Sequence, residues 1–200
     1  MPPDEAPLRE RTRRAVQDRM TLAAIDLFVE QGYDATTVGQ IAAAVGMSER
    51  TFFRYFSTKD DVLEHVSAHW RARVGADLAA RPAAEPTWLA ARRAFDGYVR
   101  ETVEQGRALA LLGVIYASPG LHGRHLLRLS RWTEAIAPAL RARLDGTPDA
   151  DFRTAVQAAV VVTCFEAARH AWVASGGESS LDELLDRAME SAARLLDGSA

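Results

Sequence analysis

The chain has 200 residues, 48% of them apolar and 26% charged, with a formal net charge of −3. That apolar share suffices for a sizeable core, and the chain is not globally basic, so any affinity for nucleic acid has to come from a local positive patch. The single cysteine, Cys164, excludes an internal disulfide and, within AAVVVTCFEAA, is expected to be a small buried hydrophobe. No apolar run approaches the roughly 20 residues needed to cross a bilayer. The start MPPDEAPLRERTRR is polar and lacks a signal-peptide pattern, so a soluble cytoplasmic protein is expected.

The first helix is predicted over about residues 8–31, with Val16, Met20, Ala23, Ala24, Leu27 and Phe28 at three- and four-residue spacings. It stops at Gly32, and Tyr33 is expected to plug the core. Arg9, Arg11, Arg13, Arg14 and Arg19 cluster before and within it, opposed nearby by Glu10 and Asp18. They read as a helix end near phosphate, or as a solvated charged start. A short second helix follows in TTVGQIAAAVG, where Thr37 and Gln40 form a capping box, Ile41, Ala42 and Val45 share a face, and the small Ala42, Ala43 and Ala44 allow a close helix crossing. Gly46 ends it in a positive-φ turn.

GMSERTFFRYFSTKDD then reads as a helix of about two turns with Ser48 as N-cap. Phe52 and Phe56 lie four apart on one side, and Arg50 and Arg54 four apart on the other. One stripe suits a core and the other suits anions. Thr58 and Asp61 make a capping box for a fourth helix from Lys59 to about Ala80, roughly 30 Å long, whose Val62 and Leu63 face back to the core. Two short helices across a Gly-containing turn form a helix-turn-helix, whose second helix enters the major groove; a plain αα-hairpin is the bland alternative.

Beyond RPAAEP (81–86), helices are predicted over about 87–105, 107–117, 124–144, 150–174 and 181–196. The breaks fall at SPGLHG, DGTPD and SGGESS. Pro138 is expected to bend the third of these, and Ser180 with Glu183 to box the last. No strand pattern appears, so the chain is expected to be all-α.

Side-chain chemistry assigns provisional roles on the short helix. Arg50, near the helix start, suits a bidentate contact to guanine O6 and N7; Arg54 suits a second base or a phosphate; Thr51 suits a thymine methyl. Ser48 combines capping with a phosphate contact. Glu49 either accepts from cytosine N4 or favours the helix N-terminus. Lys59 sits awkwardly at a helix N-terminus, which a nearby phosphate would relieve, although a simple exposed lysine also fits.

From about Arg14 to His65, with LFVEQGYDATTVGQIAAAVGMSERTFFRYFSTKDDVLEHV as its body, the chain resembles the N-terminal domain of TetR-family transcriptional regulators. The resemblance implies a three-helix DNA-binding domain at 8–58, a connecting helix at 59–80, and an effector-binding and dimerisation domain at 81–200. It also implies backbone phosphate contacts by Thr37, Tyr55 and Lys59. Phe53 departs from the tyrosine often found at its position and lacks the hydroxyl for that contact.

The resemblance further implies a homodimer on a palindromic double-stranded DNA operator, most simply a repressor released by a small-molecule effector. The last two helices carry the candidate dimer stripes: Val156, Ala159, Val160 and Thr163 on one, and Leu181, Leu184, Leu185, Ala188, Ala192 and Leu195 on the other. They can pair as a four-helix bundle or face their own core. Candidate effector-pocket walls are Phe95, Tyr98, Ile115, Tyr116, Leu126, Trp132, Ile136, Phe165 and Trp172, each also readable as core. Glu166, Arg169 and His170 in FEAARHAW add polarity, Glu166 and Arg169 being spaced to pair. With no acidic cluster, an apolar or anionic effector is expected.

No Glu-x-x-His set, Gly-rich phosphate loop or nucleophile elbow is present, and the five histidines lack a partnering Cys or carboxylate pattern. His65 and His69 have the spacing of two metal ligands, but a solvated helix is the simpler reading. No enzyme activity, cofactor, metal or membrane partner is therefore expected. The rival is a TetR-like helical ligand- or protein-binding module without operator binding.

Overall fold

The structure, a computed structural model, describes residues 8–196, and of Gln105, Leu195 and Leu196 the backbone only. Ten helices follow in order: α1 (Leu8–Gln31), α2 (Val38–Ala44), α3 (Glu49–Phe53), α4 (Asp60–Ala80), α5 (Thr87–Arg93), α6 (Asp96–Gln105), α7 (Arg107–Ala117), α8 (Pro119–Arg143), α9 (Ala150–Ala174) and α10 (Leu181–Leu196). There is no strand among the described residues. The chain divides into two compact units, Met1–Ser67 and Ala68–Ala200.

The first unit closes on Met20, Ala24, Ile25 and Phe28 of α1 with Tyr33, Ile41, Ala42, Phe52, Phe56, Val62 and Leu63. Its rings interlock, Phe28 with Tyr33 at 4.9 Å and Phe52 with Phe56 at 5.5 Å between centroids. The buried stripe of α1 is rotated from the expected one: Thr21 and Ile25 are inside, whereas Val16, Ala23 and Leu27 are only half-buried. Of the three small alanines only Ala42 is buried; Ala43 and Ala44 face out, so the close approach of α2 needs one small residue rather than three.

Local chemistry explains the joints. Thr37 and Gln40 make both halves of their capping box. At α4, the Asp61 amide donates to Thr58 Oγ1 at 3.2 Å, and the Asp61 carboxylate accepts from the Thr58 amide at 2.9 Å. Gly46 turns the chain after α2 at φ 72°, where a side chain would be strained.

The second unit packs around a cluster of four rings. Phe165 lies 4.5 Å from Phe95, 4.9 Å from Tyr98 and 5.0 Å from Trp132. Ile136, Leu140, Ala158, Val161, Leu181 and Leu185 extend this core. Cys164 is buried within it, as expected of a small hydrophobe, and its thiol donates to the Ala188 carbonyl at 3.5 Å.

Three boundaries differ from expectation. The helix predicted over 87–105 is two, because the chain tightens at Ala94 and Phe95, where the Phe95 amide donates to the Arg92 carbonyl at 3.1 Å. Every residue there except Arg93 is buried, so tertiary packing rather than a Gly or Pro makes the break. Conversely the break expected at SPGLHG narrows to Ser118, whose backbone is extended: α8 already starts at Pro119, a favourable first helical residue, and Leu121 is buried in its first turn. Pro138 lies inside α8, whose described span runs on to Arg143. Last, α3 is shorter than two turns, ending at the Arg54 cap.

Two arginines staple the second unit. Arg92, itself buried, pairs with Asp96 at 2.6 Å and reaches α10 through Asp182 and Asp186. Arg143 donates to the carbonyls of Arg81, Pro82 and Glu85 at 2.8, 3.0 and 3.0 Å, which holds the turn after α4 in shape.

Candidate nucleic-acid interface and buried polar cluster

The α2–turn–α3 segment presents its two stripes as their spacing requires. Phe52 is fully buried and Phe56 nearly so, while Arg50 and Arg54 are exposed. Ser48 caps α3: its Oγ accepts the Thr51 amide at 3.2 Å and lies 3.0 Å from the Thr51 hydroxyl. The two hydroxyls therefore form one polar edge at the start of α3, beside Arg50.

Glu49 does not share that edge. Its carboxylate lies against α2, where a Cβ added at Gly39 would meet Oε1 at 2.5 Å. Phe53 is 54% exposed, set edge-on to Phe52 at 5.7 Å, so an apolar ring stands where a hydroxyl is more usual. Arg54 is turned toward its neighbour, with Nη2 donating to the Tyr55 hydroxyl at 3.2 Å.

Lys59 is neither a free surface lysine nor unexplained. Its ammonium donates to the carbonyls of Tyr33 and Thr36 at 2.7 and 3.0 Å and sits 4.2 Å from the Tyr33 ring centroid. Those loop carbonyls offset the charge that the α4 N-terminus disfavours. Thr37 is exposed beside them at the start of α2.

The second unit holds a polar cluster inside an apolar bundle. His125 of α8 meets Glu166 of α9 at 2.7 Å between Nε2 and Oε1, and Arg169 closes on the other carboxylate oxygen with Nε at 3.1 Å. Arg169 also lies 4.4 Å from the Phe165 ring centroid. His170 stacks on Tyr116 at 3.9 Å. Burial disfavours the charged form of His125, whose pKa lies below its ordinary value, so the imidazole is a neutral donor to Glu166. Burial alone would raise Glu166, but the His125 hydrogen bond and the Arg169 charge prevail and hold it at about 2.

The predicted Glu166–Arg169 pair is thus present. Two histidines with no carboxylate pattern around them in the sequence meet a carboxylate in space: His125 pairs with Glu166, and His65 Nε2 lies 3.1 Å from Asp18. These partners are 41 and 47 residues distant, so no local pattern could signal them. Among the described residues no group of three or more His, Cys, Asp or Glu is placed to hold a metal ion.

The other candidate pocket walls divide. Phe95, Tyr98, Trp132 and Phe165 are the aromatic core itself, with Ile115, Ile136 and Trp172 also buried, whereas Leu126 is 54% exposed. Tyr116, Glu166, Arg169 and His170 are the members that come together around polar groups.

The dimer stripes divide as well. Leu181 and Leu185 are buried in their own core, because α10 closes along α9, and Leu184, Ala188 and Ala192 are half-buried. The side chain of Leu195 lies outside the described residues. On α9, Val156, Ala159 and Thr163 are exposed and Val160 is half-buried. Ala159 and Thr163 face Leu129, Ser130 and Thr133 of α8 across a shallow groove of about 370 Å³ with Glu166 and His170 at one end.

A capped helix-turn-helix with an exposed arginine face, joined in one chain to a larger helical unit, is the build of a DNA-binding transcriptional regulator. Comparison with known proteins agrees. Residues 21–66 match the bacterial regulatory proteins, tetR family, and residues 84–197 match the MftR C-terminal domain. The chain is 38% identical over 159 residues to the HTH-type transcriptional regulator TcmR of Streptomyces glaucescens, covering 76% of this chain and 70% of that one. It is 32% identical over 96 residues, 48% of each chain, to the HTH-type transcriptional repressor LfrR of Mycolicibacterium smegmatis. Among solved structures it superposes on Thermus thermophilus FadR, a TetR-family repressor in complex with lauroyl-CoA, with a TM-score of 0.57 and 24% identity over 92% of this chain and 95% of that one. The chain belongs to the TetR family, whose members regulate transcription and are not enzymes.

Proposed function

We propose that the protein is a repressor that binds a palindromic operator as a homodimer and leaves it when a small molecule occupies the second unit. The observation that carries this reading is the α3 surface, where Phe52 and Phe56 are buried and Arg50 stands exposed beside the Ser48–Thr51 hydroxyl edge. Residues 8–58 serve as the DNA-binding domain, 59–80 as the connection and 81–200 as the effector and dimer domain. LfrR and Thermus thermophilus FadR are both described as repressors, which supports repression here.

Arg50 reads a guanine and Thr51 a thymine methyl, while Thr37, Ser48 and Tyr55 hold phosphates. Lys59 has two of its three N–H groups committed to carbonyls and gives the third to a phosphate. The exposed stripe of α9, through Val156, Ala159 and Thr163, meets its symmetry mate and sets two α3 helices about 34 Å apart for successive major grooves. Tyr116, Glu166, Arg169 and His170, with His125, anchor the polar end of an otherwise apolar effector.

Selection of bound duplexes from a random DNA pool by the purified protein, at two salt concentrations, tests the reading. The expected result is a palindromic site bound more weakly at high salt; absence of enrichment at either salt would refute operator binding.

A further inference from the structure

Two backbone groups dictate the hydrogen bonding at the corner between α1 and α2. The Thr37 amide donates to Gln40 Oε1 at 2.8 Å, which fixes that end of the Gln40 carboxamide as the acceptor. Thr36, 1% exposed, donates its hydroxyl to the Gly32 carbonyl at 2.8 Å, so Thr36 Oγ1 is left to accept. The two acceptors need one donor between them. The last residue of α1 supplies it: Gln31 Nε2 lies 3.1 Å from Thr36 Oγ1 and 3.1 Å from Gln40 Oε1, with one hydrogen for each. Gln40 Nε2 returns a longer bond to Gln31 Oε1 at 3.5 Å, so the two carboxamides face each other.

The relay ends on Thr37. Thr37 Oγ1 accepts the Gln40 amide at 3.2 Å, which leaves the hydroxyl its own hydrogen to give at the exposed start of α2. Thr36 is held from a second side, because its carbonyl accepts from Lys59 at 3.0 Å. Gln31 is exposed, so it acts here through the direction of its hydrogen bonds rather than through burial. Removing the shared donor of such a network leaves both acceptors short of a partner and frees the Gln40 carboxamide to turn.

We infer that Gln31 is a positioning residue for DNA binding: it fixes the Gln40 carboxamide, and through it the Thr37 backbone, so that Thr37 meets a phosphate in one orientation. This rests on the DNA-binding reading and adds to it a residue that acts on DNA only through its neighbours. The chemistry of the corner selects an amide at position 31, since a hydrocarbon of the same length has no hydrogen to give.

The test uses the full-length protein, a duplex recovered by selection from the random pool, and a scrambled duplex of the same length. Gln31→Ala and the similarly long Gln31→Met are each expected to weaken both duplexes several-fold by the same factor. Base preference stays as in the wild type, and so does the slope of log affinity against log salt, because no cation is lost. In a Gln40→Ala background, Gln31→Ala is expected to add almost no further loss, which a purely structural contribution elsewhere in α1 would not reproduce. Thermal melting checks that each variant is folded at the assay temperature. Wild-type affinity in folded Gln31→Met, or a loss in the Gln40→Ala background as large as in the wild type, would overturn the inference. A wild-type protein that binds neither duplex would overturn the DNA-binding reading, and the role of Gln31 with it.

Discussion

Arg50 and Ser48 lie two residues apart at the start of α3 and do different work. Arg50 is exposed and has no hydrogen bond or ion pair among the described residues, so Arg50→Ala is expected to leave melting unchanged and to cost about 1–3 kcal/mol at one base pair, read by competition with single-position duplex variants. Ser48→Ala removes the acceptor for the Thr51 amide and is expected to cost about 1 kcal/mol of stability in denaturant titration. At the buried cluster the sign of the pH effect follows from His125. Its folded pKa lies below the ordinary 6.5, so the unfolded chain binds the extra proton, and stability is full above 6.5 and declines as pH falls through that value. Glu166, held at about 2 against an ordinary 4.5, contributes stability that is lost as pH falls from about 4.5 toward 2. Denaturation curves between pH 7 and 5 should therefore flatten in His125→Gln relative to wild type; equal slopes would show that His125 is not the titrating group. These roles were unequally legible. Capping follows from residue type at a fixed offset, so Thr37, Ser48 and Thr58 could be read directly, whereas the partners of Lys59, Glu49 and His125 lie on other elements.

At the scale of elements, the periodicity of apolar residues placed most of the helices, because a helix of three turns or more shows its buried face several times over. It failed where that repetition is short or overridden. The α5–α6 interruption carries no breaker residue and arises from the packing of Ala94 and Phe95. The α8 start was masked by Pro119, Gly120 and Gly123, although Pro is at home in a first turn. Phe52 shows what the short helix depends on. Five residues cannot hold a helix by propensity alone, so the burial of Phe52 in the core of the first unit, where it packs on Phe56, stabilises α3. Phe52→Ala is expected to cost about 3–5 kcal/mol and to abolish DNA binding together with the helical signal of the first unit, seen by circular dichroism and a duplex-binding assay.

For the whole molecule, the exposed small-residue stripe of α9 is the feature that a single copy leaves open. Ala159→Arg places a bulky charge on that stripe without entering the core, since Ala159 is exposed. It is expected to halve the mass seen by light scattering, to leave helicity unchanged, and to weaken binding to a palindromic duplex far more than to a half-site. A variant that keeps the wild-type mass would move the proposed interface elsewhere.

By itself the amino-acid sequence determined the all-helical class, the caps, the opposition of Phe52 and Phe56 to Arg50 and Arg54, and through these the family. All of them depend on residues within about one turn of each other, where side-chain type and spacing act directly. Only the tertiary structure decided that Phe95, Tyr98, Trp132 and Phe165 are core, that Leu181 and Leu185 face inward, and that Lys59, His125 and Arg13 meet partners on other elements. Those outcomes depend on which helix faces are brought together, and that is set by the packing of the entire unit at close to crystal density rather than by any local pattern.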